Sequence, residues 1–178
     1  PYEMESFEAD IRRFGRLIRG ELDPAPNITI TDVRVDEIYT EALHRGWVAF
    51  DIETMPCSPE EPWTGKDPTR ALLRTLSFGW EDRGFAVFWS DLSEHSRRVV
   101  RSLLSDPEVK KVGMNIIWFD NRVLARYGMT VTPFEDCRDL RRAISSTSRL
   151  SLGYQATLYT DAPPWKAEQD AESEDANK

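Results

Sequence analysis

A chain of 178 residues, 40% of them hydrophobic, has enough apolar mass for one packed domain of α/β size. Its formal charge of −8 excludes a protein that grips nucleic acid by bulk positive charge. No apolar run approaches the roughly 18 residues that cross a bilayer, and no segment resembles a secretory signal, so the expectation is a soluble, cytoplasmic chain without a membrane partner.

In chain order, residues 1–20 place Phe7, Ile11, Phe14, Leu17 and Ile18 at helical spacing with charges between them. That pattern predicts an amphipathic helix whose apolar face packs on the domain or on a neighbour. Pro24 and Pro26 make 21–27 a connector, followed by a short strand at 28–30 and a helix over 35–43. His44 and Arg45 then lead into the central stretch, 46–54. There Val48, Phe50 and Ile52 alternate with Ala49, Asp51 and Glu53, the signature of a mostly buried strand whose two acids share one face.

Four prolines and a glycine in 55–68 allow neither helix nor inner strand, so a loop lies beside those acids. Residues 72–80 and 85–89 read as two strands of a hairpin turning at Glu81-Asp82-Arg83-Gly84. Asp91 or Ser93 caps a helix running to Leu104, with His95 exposed in its first turn, and 109–113 is a short strand. A helix carrying Asp120, Val123, Leu124 and Tyr127 follows, stopped by Gly128. The chain crosses back over 129–134, Asp136 starts a helix over 137–144, and 150–159 forms the last helix. This alternation predicts a mixed sheet flanked by helices.

Charge is unevenly placed. Six arginines between Arg122 and Arg149 outnumber Glu135, Asp136 and Asp139, as on a surface that faces phosphate. The last twelve residues hold five acids against Lys178 alone, half of the net charge, and read as a disordered tail. Cys57 and Cys137 form neither a disulfide framework nor a Cys/His metal spacing.

Two carboxylates at i, i+2 on an apolar strand repel each other and lose hydration, so they call for a compensating cation. An oxygen-rich site suits magnesium or manganese better than zinc. Asp120, early in a helix whose Val123, Leu124 and Tyr127 pack inward, makes the same demand.

With these two stretches in view, the chain resembles the 3′→5′ exonuclease domains of the DEDD group, the ribonuclease H-like fold that proofreads in family A DNA polymerases. Phe50-Asp51-Ile52-Glu53-Thr54 matches the family's first motif, Asp-x-Glu-Thr. Asn115-Ile116-Ile117-Trp118-Phe119-Asp120 matches the second, an asparagine followed by an aromatic-Asp pair, and Phe134-Glu135-Asp136-Cys137 matches the strand and helix start beyond it. The resemblance implies an α/β fold with a five-stranded mixed sheet. It implies that Asp51, Glu53 and Asp120 are catalytic and hold two divalent ions, Mg²⁺ or Mn²⁺. Thr54, Met55, Met114, Asn115 and Phe119 would then contact the nucleotide at a single-stranded DNA 3′ end, with RNA as the alternative substrate. Trp63 and Trp118 are candidates for stacking a base.

The family's third motif, Tyr-x-x-x-Asp or His-x-x-x-x-Asp, has no match in this chain. Asp161, Asp170 and Asp175 are the remaining candidates for a fourth carboxylate. The expectation is therefore a piece of a longer protein, cut before that motif, with a polymerase or other domain as its neighbour. Three regions are expected: a helical extension and linker over 1–45, an exonuclease-like domain over 46–166 and the acidic tail over 167–178. The competing expectation is an impaired module of the same fold that binds nucleic acid or a partner without cutting.

Overall fold

The computed structural model describes residues 2–21, 35–145 and 149–161. The strand expected at 28–30 and the acidic tail lie outside the described residues. The chain gathers into two compact units, Pro26–Cys137 and Pro1–Ala25 with Arg138–Lys178.

The first unit is built on the acid-bearing strand, β1 (Trp47–Met55), which buries Val48, Phe50 and Ile52 on one face and turns Asp51 and Glu53 to the other. It is the middle of a five-stranded mixed sheet in the order β3-β2-β1-β4-β5. The other strands are β2 (Leu72–Gly79), β3 (Gly84–Phe88), β4 (Lys110–Gly113) and β5 (Phe134–Asp136). β2 runs antiparallel to β1 and forms the expected hairpin with β3, closed by Trp80 N–H donating to the Arg83 carbonyl at 2.8 Å. β4 runs parallel to β1, and β5 parallel to β4.

Two helices from this unit, α2 (Val35–Arg45) and α3 (Glu94–Ser105), bring Ile38, Ala42, Val100, Leu103 and Leu104 into one buried cluster with Val48, Phe50 and Ile52. Ser93 starts α3 by accepting the Ser96 N–H at 3.1 Å, which satisfies a donor that the first helical turn cannot use itself. α2 falls in the same unit as the sheet and packs with it.

A buried lysine holds the β4 end of the sheet. Lys111, fully buried, donates from Nζ to the carbonyls of Asp106, Val109 and Thr132 at 2.7, 2.6 and 2.7 Å. Burial pushes its ammonium down to about 8, and three carbonyl oxygens replace the water it has lost.

Two local expectations are corrected. The 55–68 loop contains a 3₁₀ turn, Pro62–Lys66, because proline is tolerated at the start of a helix, where no N–H is needed. The helix expected from Asp120 to Tyr127 is split into a π-helical turn, Ile116–Asp120, and a short α4 (Asn121–Ala125). Asn115 at φ 67° and Gly128 at φ 70° bound this segment, and both are left-handed positions that interrupt a regular helix.

The second unit contains α1 (Tyr2–Ile18), α6 (Leu152–Tyr159) and α5 (Cys137–Ile144) from Arg138 on. Within it Arg16 pairs with the Asp161 carboxylate at 2.8 Å, and Arg13 donates to the Asp161 carbonyl at 2.7 Å. Arg141 donates to the Tyr159 hydroxyl at 2.7 Å. Among the described residues no helix is long and apolar enough to cross a membrane.

Candidate active site

The sheet register explains why the acids meet. β4 pairs with β1 only as far as Ala49, opposite Val112, and ends at Gly113. The C-terminal half of β1, with Asp51 and Glu53, is therefore flanked by the chain that leaves β4 rather than by a strand. Gly113 makes that exit tight: a Cβ there would lie 2.9 Å from the Phe50 carbonyl oxygen, inside normal contact. The chain then turns through Asn115 and the π-helical turn and delivers Asp120 next to the strand. On the other side Asp51 and Glu53 stand opposite Ser77 and Thr75 of β2, small polar residues that leave the acid face open.

Asp51, Glu53 and Asp120 share one electrostatic neighbourhood. Asp120 is 3% exposed, and burial together with the negative charges of Asp51, Asp136 and Glu53 pushes its carboxyl up to about 8. Asp51 is pushed up to about 6, first by loss of water around it and then by Glu53, while the Ile52 N–H opposes the shift. Asp51 remains open to solvent on one side, so its shift carries less energy than that of Asp120.

A divalent cation answers the demands of this donor set. The buried Oδ2 of Asp120 has no hydrogen-bond partner among the described residues, and the charges that raise its carboxyl are those of the Asp51, Asp136 and Glu53 carboxylates. Among the described residues, however, no three His, Cys, Asp or Glu side chains are arranged as a metal-holding group. The three acids are thus neighbours rather than a formed cage.

Asp136 is a fourth acid that the sequence reading treated only as a helix start. It is 5% exposed at the end of β5, adds its charge to those that raise Asp120 and accepts the Asn115 N–H on Oδ1 at 3.0 Å. That bond holds the left-handed Asn115 from which the π-helical turn starts. Its one sequence signal is an acid at a strand end, the same placement that singles out Asp51 and Glu53.

The expected nucleotide-contacting residues divide. Asn115 sits at the pivot and Phe119 is half-buried against the core. Met55, 42% exposed, ends β1, and Met114 is half-buried just past Gly113. Thr54 has a structural task, since its hydroxyl donates to the Gly65 carbonyl at 2.6 Å and pins the 3₁₀ turn to the strand. The two candidate stacking tryptophans are both exposed with one face under an arginine: Trp118 under Arg122 at 5.4 Å and Trp63 under Arg70 at 4.8 Å. Of the arginine-rich segment, Arg126 is bound to the Ala71 carbonyl at 2.6 Å and Arg142 to Asp139 at 3.7 Å, so that part of its charge is committed within the fold. Asp161, a candidate fourth ligand, is paired with Arg16.

No family model and no curated protein matches the chain. Solved structures do. Escherichia coli RNase D, an exoribonuclease involved in structured RNA processing, aligns over 81% of this chain and 36% of its own at 14% identity, with a TM-score of 0.59. Trypanosoma brucei RNase D in complex with RNA U12 aligns over 81% of this chain and 50% of its own at 18% identity, with a TM-score of 0.61. The catalytic core of RRP6 from Trypanosoma brucei aligns over 75% and 34% at 14% identity, with a TM-score of 0.56. The chain spans a third to a half of the length of these three. They show the fold: a mixed five-stranded sheet flanked by helices.

Proposed function

We propose that this chain is the metal-binding core of a 3′→5′ exonuclease that removes nucleotides from single-stranded nucleic acid 3′ ends. One observation carries the reading: Asp120, buried and with an orphaned oxygen, lies in the same field as Asp51 and Glu53 at the end of a central strand. Two carboxylates raised by burial and mutual repulsion are a poor choice for stability alone and a good one for holding a hard cation.

In this reading Asp51, Glu53 and Asp120 hold Mg²⁺ or Mn²⁺, which would lower the pKa of an attacking water and offset charge on the phosphate. Asp136 positions Asn115, and through it the turn that carries Asp120. The substrate enters over the open acid face, where Met55, Met114 and Phe119 lie near the ends of β1 and β4. Trp118 and Trp63 present flat apolar faces to a splayed base, and Arg122 presents charge to its phosphate, whereas Arg70 is paired with Glu61. Both single-stranded DNA and RNA fit this chemistry, because chemistry at phosphorus does not read the sugar.

The test is release of mononucleotides from 3′-labelled single-stranded DNA and RNA of one sequence, with Mg²⁺ or Mn²⁺. Release from the 3′ end is expected, and Asp120→Asn is expected to slow it by about 10²-fold or more. Cleavage that Asp120→Asn leaves unchanged overturns the assignment. The second reading, a module of this fold that binds single strands without cutting, is favoured by the missing third motif and by the absence of a formed three-ligand group among the described residues. It predicts strand binding with no release at any metal concentration.

A further inference from the structure

The nuclease reading leaves α1 unexplained. Met4, Phe7, Ile11, Phe14 and Ile18 recur at alternating steps of three and four residues, the spacing of a coiled-coil seam. With Leu17 beside them they are between 57% and 70% exposed. On the side that α6 covers, α1 presents Ala9, Arg12, Arg13 and Arg16 instead, with Arg13 and Arg16 bound to Asp161. Six large apolar side chains lie exposed along a helix of 17 residues, about 25 Å long, the kind of contiguous apolar patch that marks an interaction surface.

The charges of the helix identify the occupant. From Tyr2 to Ile11 every charge is negative, at Glu3, Glu5, Glu8 and Asp10. From Arg12 to Arg19 every charge is positive, at Arg12, Arg13, Arg16 and Arg19. This polarity agrees with the helix's own dipole, but the dipole does not call for an apolar seam along the exposed side. We propose that α1 docks antiparallel on α1 of a second copy of this chain. In that orientation Arg12 and Arg19 of each helix, which pair within their own chain with Glu8 at 3.2 Å and Glu21 at 2.8 Å, come alongside the acidic half of the other, and the two dipoles oppose. A parallel pair would set acid against acid and arginine against arginine. Each copy would bury these apolar side chains at the seam, as the helices of a coiled coil do.

The test uses the full chain and sedimentation equilibrium from about 1 to about 200 µM. A reversible monomer–dimer equilibrium is expected, with a dissociation constant that rises several-fold between about 0.05 and 0.5 M NaCl as the charge pairs are screened. Two charge variants are made, Arg12→Glu with Arg19→Glu and Glu8→Lys with Asp10→Lys, and circular dichroism checks that helix content is kept. Each variant alone is expected to be monomeric, whereas an equimolar mixture forms a heterodimer. The wild-type measurement stands even if a variant unfolds. A wild-type chain that is monomeric throughout overturns the proposal, as does a dimer that tightens with salt or an Arg12→Glu, Arg19→Glu variant that associates as well as wild type. None of these outcomes depends on nuclease activity.

Discussion

Asp120 decides the electrostatics of the site. A carboxyl held near 8 in the folded state against 3.8 when free binds its proton more tightly when folded. In metal-free protein its cost to stability is therefore absent below about pH 4, grows as the pH rises and is complete above about pH 8. Asp51, raised to about 6, adds a smaller contribution of the same sign over the lower part of that window. Without metal, thermal unfolding should thus occur at a higher temperature at about pH 5 than at about pH 8. Asp120→Asn keeps the shape and removes the charge, so it should stabilise the metal-free protein at about pH 8 by on the order of 2 kcal/mol and flatten the pH dependence. Calorimetry in the presence of chelator measures both. A variant less stable than wild type at that pH would mean that Asp120 serves the fold rather than a cation.

At the level of elements, the site depends on how β4 is held beside β1, since the chain that leaves β4 carries Asn115 and Asp120. Lys111 fixes that strand by tying the α3–β4 turn, at Asp106 and Val109, to Thr132 before β5. Lys111→Met preserves the length of the side chain and leaves three carbonyls without their donor. It should cost on the order of 3 kcal/mol, read as a lowered urea midpoint with an unchanged slope. The same variant should weaken metal binding although Lys111 touches none of the acids. Stability equal to wild type would show that water can replace the ammonium.

For the molecule as a whole, a cation that binds only the folded state must raise its stability, by about 2.7 kcal/mol at a hundredfold excess over its dissociation constant. Millimolar Mn²⁺ is expected to raise the unfolding temperature by several degrees, and Asp120→Asn should abolish that shift. An unchanged unfolding temperature would favour the module that binds strands without cutting. The wild-type Mn²⁺ titration separates this site from the α1 seam, because a dimer changes stability with protein concentration and not with metal.

The alternation Val48-Ala49-Phe50-Asp51-Ile52-Glu53 has the period of a strand, and a strand admits only one arrangement of faces. The sequence by itself therefore determined that Asp51 and Glu53 lie together, where the hairpin turns and that the sheet is mixed. It could not determine what Asp120 and Asp136 face, because those acids reach β1 only through the parallel register of β4 and β5, a long-range pairing with no local signature. Nor could it show that Thr54 pins a turn or that Asn115 adopts φ 67°, since both follow from bonds to residues distant along the chain or across the sheet. Local periodicity fixes faces, whereas the meeting of distant carboxylates is settled only when the strands pair.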